Sequence, residues 1–131
     1  MQSVSPNILF VDDDKDSCEL MNMMLLCAGA DYETTSVATP FEALDLIAQK
    51  PFDLLVVDYK LPEMTGVELC RRIRETDKQT PILFFTGMAS NDDRNVAIAA
   101  GANSYLVKPN DLDKFTDTVK QLLSAKQAAV L

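Results

Sequence analysis

The chain has 131 residues, of which 47% are hydrophobic, and a formal net charge of −8. This length and apolar content suit one domain with a buried core, and strong acidity without a cluster of Lys and Arg argues against direct binding to nucleic acid. The sequence has no apolar run near the roughly 18 residues of a membrane span, and its start from Met1 to Pro6 lacks the features of a signal peptide, so we expect a cytoplasmic protein.

Short aliphatic runs alternate with longer helical patterns along the whole chain. This alternation is typical of βαβ units in an α/β fold with a parallel sheet. The predicted strands are Asn7 to Val11, Tyr32 to Ser36, Leu54 to Val57, Ile82 to Phe85 and Ser104 to Val107. The predicted helices are Lys15 to Ala28, Pro40 to Gln49, Gly66 to Thr76, Asp92 to Ala100 and Leu112 to Lys126. We expect a single domain over residues 1–131, with its core at about 7–124 and the start of a tail or linker at 125–131.

Residues that favour helix ends stand at the predicted boundaries. Thr39 and Glu42 have the spacing of a capping box, and Gly29 and Gly101 stand where helices commonly end in a left-handed residue. Asn110 precedes the last helix and is predicted to cap it.

Polar residues follow four of the predicted strands where those strands end. Ligands bind outside the carboxyl ends of the strands in open parallel sheets, so we expect these side chains to converge. They are Asp12 and Asp13 after the first strand, Asp58 after the third, Thr86 after the fourth and Lys108 after the fifth.

Aspartates at neighbouring strand ends repel each other by roughly 4 kcal/mol per pair at about 4 Å, so a cation is needed to offset them. The chain has no histidine, and its three cysteines lack metal-ligand spacing. Oxygen ligands alone favour a hard cation, and we predict Mg²⁺ rather than Ca²⁺. A carboxylate, a hydroxyl and an ammonium around Mg²⁺ are typical of a phosphoryl-transfer site.

Four segments carry a family resemblance: Ile8 to Asp13, Asp58 to Gly66, Phe85 to Gly87 and Gly101 to Pro109. In this order and spacing they resemble a response-regulator receiver domain, over nearly everything from Asn7 to about Leu123. The resemblance implies a three-layer, flavodoxin-like α/β sandwich with a five-stranded parallel sheet of order 2-1-3-4-5 and five helices.

The same resemblance implies a function in a two-component phosphorelay. The receiver would take a phosphoryl group from a sensor histidine kinase or a histidine phosphotransfer protein and switch conformation. It would thereby control a downstream output, through a partner or a following effector domain. Such a receiver is not an enzyme in the usual sense, because it catalyses only its own phosphorylation and dephosphorylation.

Roles at the site also follow from the resemblance, residue by residue. Asp58 matches the phospho-acceptor, Asp13 a direct metal ligand and Asp12 its partner in binding Mg²⁺. Asp58 itself and the backbone carbonyl of Lys60 complete the implied metal ligands.

Three further residues match family positions that contact the phosphoryl group or change conformation in response to it. Thr86 and Lys108 match the residues that contact it, and Tyr105 matches an aromatic switch that turns inward when Thr86 moves. An ordinary packed aromatic is the other interpretation of Tyr105.

The first predicted helix carries more apolar surface than one core-facing stripe needs. The additional residues suit docking on the helical bundle of the kinase, which the resemblance implies for this helix, or burial against the sheet and the last helix. They are Leu20, Met23, Met24 and Cys27.

A phosphatase of the haloacid-dehalogenase type is the alternative function. The run from Asp12 to Asp14 also has the Asp-x-Asp pattern of that family, with Asp12 as nucleophile and Asp14 as acid/base. The chain is short for such an enzyme, and Asp58 would then have no role. A flavodoxin-like binding module is less consistent with the sequence, because no Ser/Thr/Gly-rich loop follows the first strand to hold a flavin phosphate.

Overall fold

A computed structural model describes residues 5–130 of the chain. The first four residues and Leu131 lie outside the described residues, and with them part of the predicted domain and most of the segment used to judge a signal peptide. The elements are β1 (Asn7–Val11), α1 (Lys15–Cys27), β2 (Glu33–Val37), α2 (Pro40–Gln49), β3 (Leu54–Val57), α3 (Gly66–Thr76), β4 (Ile82–Thr86), α4 (Asn91–Ala99), β5 (Ser104–Val107) and α5 (Phe115–Val130).

The five strands form one sheet in the order β2-β1-β3-β4-β5. Every pairing is parallel, with Val11 of β1 opposite Val37 on one side and Val57 on the other. The predicted fold class and strand order are therefore confirmed.

Successive residues of each strand point to opposite faces of the sheet, and helices cover both faces. In β1, Leu9 and Val11 pack with residues of α2, α3 and α4, whereas Ile8 and Phe10 pack with residues of α1 and α5. Both faces are buried, so the central strands are continuous apolar runs rather than alternating ones. The result is the predicted sandwich of three layers.

The predicted helix ends are largely confirmed. The Thr39 hydroxyl accepts a hydrogen bond from the Glu42 backbone N–H at 3.2 Å. Gly29 and Gly101 have φ angles of 76° and 115°, which L side chains rarely adopt, and they follow the ends of α1 and α4. Among the described residues, no helix is long and apolar enough to cross a membrane.

The connection into the last helix differs from the prediction. A 3-10 turn occupies Leu112–Lys114, and the α-helix begins only at Phe115 and runs through Val130. Asn110 is not the capping residue: Asp111 precedes the turn, and its carboxylate accepts a hydrogen bond from the Val107 N–H at 2.9 Å. The segment is thereby tied back to β5 rather than capped by a side chain.

The other boundaries agree with the prediction to within one residue. The strand β2 is shifted by one, because its polar sequence gives no continuous apolar run to mark its ends. Strand β4 includes Thr86, and α4 begins at Asn91 behind a Ser90 cap.

Candidate functional site

Backbone hydrogen bonds continue the sheet one residue past its strands and fix three site residues at the same edge. The Asp12 N–H donates to the last carbonyl of β2 at 3.1 Å, and the Asp58 N–H donates to the last carbonyl of β1 at 3.0 Å. The Lys108 N–H donates to the last carbonyl of β4 at 2.8 Å. The convergence of strand ends predicted from the sequence is thus confirmed for these three residues.

The ammonium group of Lys108 is the centre of this cluster. Its Nζ lies 2.8 Å from Asp12 Oδ2, 3.5 Å from Asp58 Oδ2 and 3.1 Å from Ser17 Oγ. It also stands 5.5 Å from the centroid of the Phe85 ring. The Asp12 and Asp58 side chains are only 2% and 15% exposed. One cation therefore pairs with two carboxylates that are shielded from solvent, and the three groups together have a net charge of −1.

Burial and pairing act against each other at the Lys108–Asp12 contact. Burial alone would lower the pKa of Lys108, but the hydrogen bond to Asp12 and the charge of Asp58 outweigh it and raise this pKa above its usual value. Burial raises the pKa of the Asp12 carboxyl, opposed by the hydrogen bonds from Lys108 and from the Asp14 N–H. At neutral pH Lys108 is therefore protonated and paired with Asp12.

The donor set fits the chemistry of a hard divalent cation. Asp12 and Asp58 lie against one ammonium, and the exposed Asp13 follows Asp12 directly in the chain, so the three carboxylates exceed Lys108 by two negative charges. Lys60 follows Asp58 in the next loop, and its N–H donates to Asp58 Oδ1 at 3.4 Å. Within the described part of the chain, no three His, Cys, Asp or Glu side chains stand ready to hold a metal ion. Asp13, being exposed, has the freedom to turn toward the cluster.

Thr86 lies at the edge of the site, where its hydroxyl contacts the protein backbone. It is buried, and its hydroxyl accepts a hydrogen bond from the Met88 N–H at 3.3 Å. The Met88 carbonyl in turn accepts a hydrogen bond from the Tyr105 hydroxyl at 2.6 Å. Thr86 and Tyr105 are therefore linked through the backbone of one residue.

Tyr105 already points into the protein and is only 3% exposed. Its ring stacks on Phe84 with a centroid distance of 5.8 Å, and Phe84 meets the Tyr59 ring edge-on at 6.0 Å. The resemblance implies that Tyr105 turns inward when Thr86 moves. In this structure the ring is already inward, so such a turn would begin from another conformation.

Two residues of the site were not predicted to contribute to it. Ser17 hydrogen-bonds to Lys108, and it lies in the first turn of α1, directly after the aspartates. Phe85 provides the ring beside the ammonium. The position of Ser17 in a helix that begins at the strand ends is a signal that could have identified it; Phe85 was hidden among the apolar residues of β4.

The additional apolar residues of α1 are mostly exposed. Leu20 is 44% and Met23 is 61% exposed, Cys27 is exposed as well, and Met24 is half-buried against the core. Burial of the whole set against the sheet and α5, the second interpretation of these residues, is therefore wrong. Leu26 of the same helix is also 63% exposed and was not predicted.

Asp14 has a structural position that does not suit the phosphatase alternative. It is the N-cap of α1, where its carboxylate accepts hydrogen bonds from the Asp16 N–H at 3.0 Å and the Ser17 hydroxyl at 3.3 Å. Asp12, the nucleophile of that alternative, is paired with Lys108.

Comparison with known proteins agrees with this arrangement. A family model described as the response regulator receiver domain matches residues 8–120. Transcriptional regulatory protein ZraR of Klebsiella oxytoca is 32% identical over 124 residues, which are 95% of this chain and 28% of that protein. Response regulator MprA of Mycobacterium bovis is 37% identical over 120 residues, or 92% of this chain and 51% of that protein. The chain thus spans 28% to 51% of the length of these curated relatives.

A solved structure agrees at the level of the fold. The crystal structure of a CheY-like response regulator receiver domain protein from Methanospirillum hungatei JF-1 matches with a TM-score of 0.86 and 29% sequence identity, covering 96% of this chain and 99% of that one. These similarities give no support to the phosphatase alternative.

Proposed function

The chain belongs to the response regulator receiver domain family, and on this premise we propose that Asp58 accepts a phosphoryl group in a Mg²⁺-dependent reaction. The observation that carries the proposal is the position of Lys108, whose ammonium lies between the carboxylates of Asp12 and Asp58. A group so placed neutralises charge on a phosphoryl oxygen at Asp58, which is the main requirement of phosphoryl transfer.

The reaction needs few movements of this chain. An oxygen of Asp58 attacks the phosphorus of a phosphohistidine on the donor; the new P–O bond forms as the P–N bond breaks, and the imidazole leaves. Lys108 pairs with one phosphoryl oxygen, and Thr86 turns its hydroxyl from the Met88 N–H to another. In this proposal Asp58, Thr86 and Lys108 are the catalytic residues.

Asp12, Asp13, Asp58 and the backbone carbonyl of Lys60 would hold Mg²⁺. When bound, the ion supplies positive charge that offsets the phosphoryl oxygens and the aspartates. The excess negative charge of the aspartates over Lys108 supports this assignment.

We assign the donor as a sensor histidine kinase or a histidine phosphotransfer protein. The donor would contact α1, because this helix begins at the site and exposes large apolar side chains to solvent. The contact residues would be exposed Leu20, Met23 and Cys27 and half-buried Met24. Tyr105, linked to Thr86 through Met88, would report phosphorylation on the surface of α4 and β5 to an output partner or effector domain.

The test is incubation of the protein with acetyl phosphate, with and without Mg²⁺. We expect one added phosphoryl group in the intact mass, dependent on Mg²⁺ and mapped to Asp58 after borohydride reduction. Asp58→Asn removes the acceptor and should abolish the addition. Phosphorylation of Asp12 with Asp58 unmodified would contradict the proposal.

A further inference from the structure

Ser17 contributes a neutral oxygen to the cluster around Lys108, and the proposed reaction gives this residue no role. An ammonium group has three N–H donors and no acceptor. In the described part of the chain three oxygens lie within reach of the ammonium, namely Asp12 Oδ2 at 2.8 Å, Ser17 Oγ at 3.1 Å and Asp58 Oδ2 at 3.5 Å. Each N–H of the ammonium therefore has one oxygen to point at.

The three contacts of the ammonium differ in strength. Hydrogen bonds from a charged nitrogen to oxygen are strongest at about 2.7 to 2.9 Å and weak at about 3.5 Å. The ammonium is therefore held mainly by Asp12 and Ser17. The second oxygen of Asp58 is also weakly bound, because the Lys60 N–H lies 3.4 Å from it. Both oxygens of the Asp58 carboxylate are thus loosely held.

The Ser17 hydroxyl is oriented to accept a hydrogen bond from Lys108. Its own proton is donated to Asp14 Oδ2 at 3.3 Å, so its lone pairs are free for the ammonium. Asp14 is the N-cap of α1, and its Oδ1 accepts a hydrogen bond from the Asp16 N–H at 3.0 Å. Hydrogen bonds therefore connect Lys108 through Ser17 to the first turn of α1. The position of the ammonium depends on this helix as well as on the strand ends.

Without the contact to Ser17, the charge of Asp58 would draw the ammonium closer. The two groups are 3.5 Å apart, and a movement of less than about 1 Å would give them a full ion pair. An ammonium in that position occupies a lone pair of the attacking carboxylate and lies where the phosphorus must approach. A single contact with Asp12 would leave the ammonium free to turn, whereas two contacts fix its direction.

From this geometry we infer that Ser17 is a positioning residue for phosphoryl transfer. With Asp12 it holds the Lys108 ammonium away from Asp58 and directs the third N–H toward an oxygen of the incoming phosphoryl group. The inference rests on the proposed function and adds to it a residue that acts through Lys108 without touching the phosphoryl group. Accurate placement matters, since a displacement of about 1 Å at a reacting centre can slow a reaction about a hundredfold.

The test is the rate at which acetyl phosphate labels Asp58 in Ser17→Ala. Alanine favours a helix more than serine does, so α1 should remain folded. We expect labelling at saturating Mg²⁺ to be about tenfold slower than in the wild type, because the ammonium loses one of its two short contacts. The Mg²⁺ concentration that gives half the maximal rate should change less than about twofold, since Ser17 is not among the proposed metal ligands.

Two further variants serve as controls. Ser17→Thr keeps the hydroxyl and should label within about threefold of the wild-type rate. Ser124→Ala makes the same substitution at an exposed serine of α5 and should leave the rate within about twofold. Thermal unfolding verifies that every variant is folded.

The outcomes separate this inference from the proposed function. If Ser17→Ala labelled Asp58 as fast as the wild type or faster, or if Ser17→Thr were as slow as Ser17→Ala, the inference would be overturned and the proposed function would stand. A loss of rate that higher Mg²⁺ concentrations restored would overturn it too, because Ser17 would then act on metal binding. A wild-type chain that gained no phosphoryl group on Asp58 would overturn the proposed function and this inference with it.

Discussion

Lys108 compensates two carboxylates that the sheet holds close together. The Asp12 side chain is 2% exposed, so removal of its partner leaves a charge that water barely reaches. We expect Lys108→Met to lower the free energy of unfolding by about 2 to 3 kcal/mol, somewhat less than for a fully buried pair because Lys108 is 21% exposed. Urea denaturation measures the loss, and Mg²⁺ should recover more stability in the variant than in the wild type.

A surface ion pair provides the comparison for this effect. Lys114 lies 3.4 Å from Asp111 and is 65% exposed. Lys114→Met should cost less than about 1 kcal/mol, with no dependence on Mg²⁺. Similar losses in both variants would mean that Lys108 contributes only as an exposed charge.

Glu63 has a backbone conformation that L residues rarely adopt. Its φ is 73°, in the loop between β3 and α3 that follows Asp58. Glu63→Gly should stabilise the protein by about 1 kcal/mol, since glycine adopts this conformation without the steric cost of a Cβ. Glu63→Ala removes the same charge but keeps the Cβ, so denaturation should leave its stability unchanged. A stabilised alanine variant would assign the effect to charge instead.

At the scale of elements, the start of α3 is pressed against the end of β3. A Cβ on Gly66 would lie 2.2 Å from the Asp58 carbonyl oxygen and 3.0 Å from Val57 Cγ1. Gly66→Ala must therefore move α3 away from Asp58, and we expect a loss of about 2 kcal/mol in stability and, if Asp58 accepts the phosphoryl group as proposed, slower labelling by acetyl phosphate.

Gly87 offers a matched control for the same substitution. A Cβ there meets nothing within 4 Å, and the residue is exposed at the end of β4. Gly87→Ala should alter the free energy of unfolding by less than about 0.5 kcal/mol. If both alanine variants behaved alike, the close approach of α3 to β3 would not control the site.

The elements that the sequence predicted best are those whose pattern is local. The buried strands β1 and β3 are marked by continuous apolar runs, and their predicted bounds match the structure. Strand β2 lies at the edge of the sheet and has the polar sequence ETTSV, so no apolar run marks its ends. Its predicted bounds therefore differ from the observed ones by one residue. The turn before α5 depends on a hydrogen bond from the Val107 N–H to the Asp111 carboxylate, a contact between residues four apart that the apolar periodicity of the sequence does not indicate.

The site was predictable in its members but less so in its contacts. Asp12, Asp58 and Lys108 follow from the rule that ligands bind at strand ends. The pairing of Lys108 with Asp12 joins residues 96 apart in the chain, and the place of Ser17 beside them depends on how α1 docks on the sheet. Packing of this kind is decided by the whole fold rather than by spacing.

At the scale of the whole molecule, Tyr105 connects the site with the surface of α4 and β5. It is nearly fully buried, and its carbonyl accepts a hydrogen bond from Arg94 of α4 while its hydroxyl donates to Met88. Burial, reinforced by the charge of Asp93, raises the pKa of Tyr105 from 10.0 to about 12. The folded protein therefore favours the neutral phenol more strongly than the unfolded chain does.

This difference gives the stability a defined dependence on alkaline pH. The contribution of the neutral phenol is fully present below pH 10.0 and is lost as the pH rises toward about 12, because the unfolded phenol ionises first. Relative to Tyr105→Phe, the wild type should lose up to about 2 kcal/mol of unfolding free energy across that interval. Denaturant titrations at a series of pH values measure the difference, and absorbance at 295 nm should lose its highest step in the variant. If the two proteins lost stability in parallel as the pH rose, the Tyr105 ring would not be buried in solution. The hydrogen bond from its hydroxyl to the Met88 carbonyl, which links it to Thr86, would then be absent.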